Sequence, residues 1–185
     1  MIDDLVTDAT HRMDASVDHT QQEFNGVRTG RASAALLDRV QIDYYGTQTP
    51  LKQLATINVP EARMLTVQPF DPSSISSIER AIQQSDLGLT PSNDGKIIRL
   101  PVPQLTEERR KELVKIVRNM AEEGKVAVRN VRRDCMHHLK ELVDNGDVGA
   151  DEEHRAEDRV QKLTDEHTTK IDDLLKRKEA EIMEV

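Results

Sequence analysis

Tryptophan is absent from this 185-residue chain, and its aromatic residues are Phe24, Tyr44, Tyr45 and Phe70. A protein that grips single-stranded nucleic acid by stacking bases on aromatic platforms needs more than that. Any nucleic-acid contact is therefore expected on backbone and shape. Cys135 is the only cysteine. It can form no disulfide within the chain, which fits a reducing compartment. No uncharged run exceeds eight residues, which argues against a membrane-spanning helix. Met1-Ile2-Asp3-Asp4 lacks the basic-then-apolar order of a secretory leader, so the expected location is cytoplasmic, with no membrane partner.

Enzymatic signatures are missing too. There is no P-loop, dinucleotide glycine fingerprint, nucleophile elbow or paired CxxC, and the chain is expected not to be an enzyme and to need no cofactor or metal. His137-His138 with Glu141 has metal-like spacing, but a packed or solvated pair is the simpler reading. Cys135 stands near Arg132 and Arg133, yet its place on an apolar stripe predicts an inert thiol. Glu107-Glu108 and Glu122-Glu123 read as helix-end and solvent charges. Arg28-Thr29-Gly30-Arg31 follows a helix, whose carboxyl end is the wrong pole for a phosphate.

What the chain does have is one long proline-free stretch, from Thr106 to Asn145. Leu113, Val117, Met120, Gly124, Val128, Val131, Cys135, His138 and Leu142 recur in steps of three and four, the stripe of an amphipathic helix. At about 100° per residue, Arg118, Lys125, Arg129 and Arg132 fall within an arc of about 60° beside that stripe, with Arg133 flanking it. From Arg109 to Lys140 the balance is ten Lys or Arg against four acids, in a chain of net charge −8. A polyanion meeting this face would be repelled by most others, so binding would be oriented. A solvated helix face whose Lys and Arg stems cover apolar surface is the plainer alternative.

Two further helices are expected. Ile2 to Thr29 carries Val6, Ala9, Met13, Val17, Thr20, Phe24 and Val27 on one face, with Asp3 or Asp4 at its positive end and Gly30 as the stop. The last helix runs from Asp151 to about Glu184 after an Asn145-Gly146 stop, its seam formed by Ala156, Val160, Leu163, His167, Ile171, Leu174, Lys178 and Ile182. Lys178 departs from that pattern and reads as a snorkelling stem.

From Arg31 to Leu105 the pattern switches to short β-rich runs at 39–45, 56–59, 64–70 and 96–100. Asp71-Pro72-Ser73 opens a helix with Ile75, Ile78 and Ile82 on one face. The expected fold is α+β: a three-helix bundle of residues 1–30 and 106–185, with a β/α/β unit, 31–105, inserted after the first helix. The chain crosses between the two at Gly30-Arg31 and at Pro103-Gln104-Leu105, which predicts a hinge. If the helices meet the hinge together, the first reaches about the level of Arg132, while Arg28, Arg31 and Arg110 lie close to the hinge.

Several segments resemble one family. They are Val27-Arg28-Thr29-Gly30-Arg31-Ala32, Asn58-Val59-Pro60-Glu61-Ala62-Arg63, Ser85-Asp86-Leu87-Gly88-Leu89, Asn93-Asp94-Gly95, Pro103-Gln104-Leu105-Thr106-Glu107-Glu108-Arg109-Arg110 and Val128-Arg129-Asn130-Val131-Arg132-Arg133. Together they look like the bacterial ribosome recycling factors, in order and over the whole chain. The resemblance implies an L-shaped, transfer-RNA-like monomer that is not an enzyme. Such a factor binds the 70S ribosome after peptide release and, with elongation factor G and its GTP hydrolysis, splits the subunits so that messenger and transfer RNA leave. It also implies that the bundle lies along the 23S RNA of the large ribosomal subunit, with Arg129, Arg132 and Arg133 facing RNA and Arg28, Arg31 and Arg110 nearer the hinge. A coiled-coil scaffold or holdase binding protein partners is the alternative that the long seams allow.

Overall fold

The computed structural model describes residues 1–184. In chain order the elements begin with α1 (Ile2–Asn25), a 3-10 turn (Ala34–Leu37), strands β1 (Gln41–Tyr44) and β2 (Thr47–Pro50), and one helical turn, α2 (Leu51–Leu54). Strands β3 (Ala55–Glu61) and β4 (Met64–Pro69), helix α3 (Ile75–Gln84) and strands β5 (Ser92–Asn93) and β6 (Ile98–Pro101) follow, then the long helices α4 (Glu107–Asp144) and α5 (Ala150–Met183). These form two compact units: Met1–Arg28 with Glu107–Val185, and Thr29–Thr106.

The first unit is a bundle in which α1, α4 and α5 each pack on the other two. At 1.5 Å per residue, the 38 residues of α4 span about 57 Å. Its buried line is Leu113, Val117, Ala121, Gly124, Val128, Val131, Cys135 and Leu139. The expected seam is corrected at three places: Met120 and Leu142 are only half-buried and His138 is exposed, with Ala121 and Leu139 facing inward instead. A helix wedged between two partners buries a wider arc than a paired coil does, and that arc takes leucine in preference to an imidazole that must be desolvated.

In α5 the same widening buries Thr164, whose hydroxyl donates to the Val160 carbonyl at 2.8 Å, while Leu163 and Leu174 are half-buried. His167 is buried, with Nδ1 2.6 Å from the Leu163 carbonyl oxygen and Nε2 2.7 Å from Asp14 of α1. Lys178 is buried along its stem, and its Nζ reaches Glu181 at 3.4 Å. Gly146, at φ +77°, ends α4 in the left-handed conformation that glycine adopts without strain.

Helix α1 stops at Asn25, short of the expected Thr29. The Gly26 amide closes the last turn on Gln22 and Glu23, and Asn25-Gly26, two poor helix formers, end the element. At the other end, Arg12 meets Asp134 at 2.9 Å and the Leu5 carbonyl lies 3.9 Å from Cys135 Sγ. The amino end of α1 is thus level with Cys135, about one turn past the expected Arg132. Burial raises the Cys135 thiol above its ordinary value, with the Asp8 charge adding to the effect.

The second unit holds a β1–β2 hairpin and an antiparallel sheet in the order β3-β4-β6-β5. Its core gathers Leu37, Ile42, Leu51, Leu65, Val67, Ile78, Ile82, Ile98 and Leu100. Strands β2 and β5 are additions to the expected set. Pro60 sits where the β3 register shifts on an edge strand, a place that needs no amide donor. Gly30 is not a helix stop but lies at φ +77° beside the other crossing, with Leu105 Cγ 3.1 Å from where a Cβ would stand.

The β5–β6 turn is built on one carboxylate. Asp94 accepts the amides of Lys96 and Ile97 at 3.0 and 2.9 Å and pairs with Arg99 at 3.0 Å. Those amide hydrogen bonds, foremost the one from Ile97, hold its pKa down at about 2. A carboxylate depressed on folding contributes stability above its unfolded pKa and loses it as pH falls through the folded value. Protection of the Lys96 and Ile97 amides against exchange, taken relative to the intrinsic rate at each pH, should therefore fall between about pH 4 and pH 2 in the native chain. In Asp94→Asn that pH step should be absent; its persistence would exclude Asp94 as the cause.

Candidate nucleic-acid interface

The basic line of α4 is laid down by a seven-residue spacing: Arg118, Lys125 and Arg132, two turns apart, share one edge of the helix. Helix α5 runs antiparallel beside it and presents Asp158, Asp165, Asp172 and Glu179 at the same interval. Opposite charges on facing edges of packed helices pair, and two of the three cations do so. Arg118 Nε donates to Glu179 at 2.6 Å. Lys125 Nζ reaches Glu122 at 2.7 Å and Asp172 at 3.0 Å. Both cations are held above their ordinary pKa by these bonds, Arg118 by Glu179 and Lys125 by Glu122 first and Asp172 second. The continuous cationic line expected from the sequence is corrected to this extent: Arg118 and Lys125 are engaged by acids, and Lys125 has a side chain only 15% exposed.

At the third step the pattern breaks. Arg132 Nη1 donates to the amide oxygen of Gln161 at 3.1 Å, and Gln161 Nε2 donates to Asp165 at 2.9 Å. Among the described residues no carboxylate lies within ion-pairing distance of Arg132. Arg129 and Arg133 are exposed, and among the described residues no hydrogen bond or ion pair holds either of them. Asp134 is next in sequence and is bonded by Arg12 of α1, whose hydrogen bond lowers the carboxylate below its ordinary pKa, the nearby Arg133 charge adding to the effect without an ion pair. Three guanidinium groups within about one turn of helix thus keep their charge available. Such groups fork onto phosphate oxygens in a fixed geometry that lysine does not offer.

The remaining candidates lie elsewhere. Arg110 is half-buried at the start of α4, 22 residues and about 33 Å along the helix from Arg132, and its Nε is buried with no hydrogen bond. Arg28 is exposed at the end of the α1 segment, and Arg31 is exposed in the sheet unit. His137 pairs with Glu141 at 3.3 Å, and among the described residues no group of three or more His, Cys, Asp or Glu is placed to hold a metal ion. Nor is any described helix long and apolar enough to cross a membrane. Sequence reasoning overlooked the acids of α5 and Gln161, although the seven-residue recurrence of those acids is legible once α5 is set beside α4.

Known proteins are similar to this chain over its whole length. Residues 20–183 match the family model described as Ribosome recycling factor. The ribosome-recycling factor of Bacillus subtilis (strain 168) is 55% identical over 185 residues, covering all of both chains. That of Rubrobacter xylanophilus is 54% identical over 180 residues, 97% of each chain. A ribosome recycling factor solved in solution is similar at a TM-score of 0.77 and 41% identity, covering 100% of this chain and 98% of that one. A T. thermophilus ribosome recycling factor, described with E. coli elongation factor G bound to the E. coli post-termination complex, is similar at a TM-score of 0.65 and 44% identity over the whole of both chains. A helical bundle interrupted by a small sheet unit, with more than half of its residues shared along the full length, places this chain in the ribosome recycling factor family.

Proposed function

We propose that this chain binds the ribosome after termination through Arg129, Arg132 and Arg133 and, together with elongation factor G and GTP, drives separation of the subunits. Messenger and transfer RNA then leave. The observation that carries the docking surface is the cluster of three arginines that, among the described residues, have no ion-pair partner, on a helix whose cations one and two heptads away, Lys125 and Arg118, are paired with acids of α5. In a chain of net charge −8, that cluster is where folded RNA can approach with least repulsion. The anion proposed is the phosphate backbone of large-subunit 23S RNA, and the aromatic-poor composition agrees with backbone contact. The sheet unit acts as a lever, with Gly30, Arg31, Pro103, Gln104 and Leu105 as the segments that flex, and the protein works as a cytoplasmic monomer.

The test is a splitting assay with purified 70S particles carrying messenger and deacylated transfer RNA. Light scattering should fall when the chain, elongation factor G and GTP are all present, and stay level when any one is left out. GTP hydrolysis by the chain alone should equal buffer. Unchanged scattering with all components present would overturn the reading and favour the scaffold alternative.

A further inference from the structure

The two ion pairs between α4 and α5 define a register. Arg118 faces Glu179 and Lys125 faces Asp172, so each step of seven up α4 matches a step of seven down α5. Continuing that register places Asp165 opposite Arg132. A third interhelical ion pair is the expected outcome of such a ladder, and among the described residues it is missing. Gln161, one turn from Asp165 on α5, stands between the two. Its amide oxygen takes the Arg132 Nη1 hydrogen at 3.1 Å, and its amide nitrogen donates to Asp165 Oδ1 at 2.9 Å.

An amide is the side chain suited to this position, because it is acceptor and donor at once. It satisfies one guanidinium hydrogen without cancelling the positive charge, and it occupies the carboxylate that would otherwise cancel it. A glutamate here would cancel the charge outright, and an apolar residue would leave Asp165 free to swing over.

We propose that Gln161 is a positioning residue for RNA binding: it aims Arg132 and keeps Asp165 from neutralising it. The proposal rests on Arg132 being part of the RNA-docking surface. It adds a residue of α5 to an interface otherwise confined to α4, and it explains why the charge ladder stops where the exposed arginines begin. Arg118 and Lys125 fasten α4 to α5, whereas Arg132 is held in place with its charge unspent.

The experiment measures binding of the full chain to purified large ribosomal subunits across a salt titration, for the parent, Gln161→Glu, Gln161→Leu, Gln161→Leu/Asp165→Asn, Arg132→Ala and Arg132→Ala/Gln161→Glu. Gln161→Glu should bind about tenfold more weakly, with a salt slope shallower by roughly one phosphate contact. Gln161→Leu should weaken binding similarly, and adding Asp165→Asn should restore it, since only the neutralising carboxylate has been removed. In the Arg132→Ala background, Gln161→Glu should change nothing further. Thermal unfolding of each variant accompanies the binding; Gln161→Glu keeps the shape of the side chain and carries the test if the leucine variant does not fold.

Two failures are distinguishable. If Arg132→Ala binds like the parent, the docking surface itself is wrong. If Arg132→Ala weakens binding while both single Gln161 variants bind like the parent, or if Asp165→Asn fails to rescue a folded leucine variant, the docking surface stands and the role given to Gln161 falls.

Discussion

Arg129→Ala/Arg132→Ala is expected to fold like the parent and to bind large ribosomal subunits about a hundredfold more weakly near physiological salt. Folding should be indifferent, because among the described residues Arg129 is exposed without a partner and Arg132 hydrogen-bonds only the neutral amide of Gln161. Neither replacement leaves a buried charge behind. Binding should not be indifferent. A charge-assisted hydrogen bond contributes about 1.5 to 3 kcal/mol net, so two lost guanidinium–phosphate contacts cost about 3 kcal/mol at the low end, which is about two decades of affinity.

The same double variant should show a shallower dependence of log affinity on log salt, since each phosphate contact adds about 0.7 to 0.9 to the slope. Lys176→Ala, which removes an exposed cation on α5, is the matched control and should leave both quantities nearly unchanged. Parallel salt curves of equal affinity for the double variant and its parent would refute RNA docking through these arginines.

Gly124→Ala is expected to destabilise the bundle by about 2 kcal/mol. At this position α1 and α5 leave no room for a side chain on α4: a Cβ on Gly124 would clash with Thr20 Oγ1 and stand 3.2 Å from Ile171 Cδ1. Thr20 and Ile171 are both fully buried, and the Thr20 hydroxyl is committed to the Ser16 carbonyl at 2.9 Å. Relief requires Thr20 to leave its rotamer and that hydrogen bond, or the helices to move apart and lose contact along their length. Overpacking of this kind costs about 1 to 3 kcal/mol. Alanine recovers up to about 1 kcal/mol over glycine inside a helix, which does not offset a clash with a stiff, β-branched neighbour.

The prediction has a built-in rescue. Thr20→Ala alone opens a void and loses the hydroxyl bond, but in Thr20→Ala/Gly124→Ala the new methyl group fills that void. The double variant should be more stable than the sum of the singles by about 1 to 3 kcal/mol, measured by urea unfolding of the full chain with helical ellipticity as the signal. Additive losses, or a Gly124→Ala chain as stable as the parent, would mean that the helices separate there without cost.

The seven-residue ladder ties these results together. Gly124 lets the helices approach, the approach brings α5 acids within reach of α4 cations, and that reach decides which arginines keep their charge for a partner. An interface residue such as Arg132 is therefore defined by helix packing as well as by its own chemistry.

Much of this was legible from residue order. Apolar positions recurring every three or four residues identify helices that bury one face, because burial of a stripe is what stabilises a long helix in water. The change to short β-rich runs between Arg31 and Leu105 identifies the inserted unit, and the run of cations against few acids identifies the basic helix. Elements whose form depends on partners were not legible. Thr47-Gln48-Thr49-Pro50 and Ser92-Asn93 carry no apolar alternation; they are strands because β1 and β6 offer free edges, β1 through a turn in which Tyr45 and Gly46 both take positive φ. Helix α1 ends at Asn25-Gly26 and not at the more conspicuous Gly30, since local propensity alone does not say which of two stop signals takes effect.

Residue order by itself determined that α4 carries a line of cations, that it packs on two other helices and that a small sheet unit interrupts the bundle. These follow from periodicities that each segment carries alone. Only the tertiary structure decided which cations remain available, because Glu179 and Asp172 lie 61 and 47 residues from the groups they neutralise. Whether such distant charges meet depends on the register in which two helices interlock. That register is set by side-chain volumes at the packed seam, the closeness allowed by Gly124 among them, and no single segment contains it.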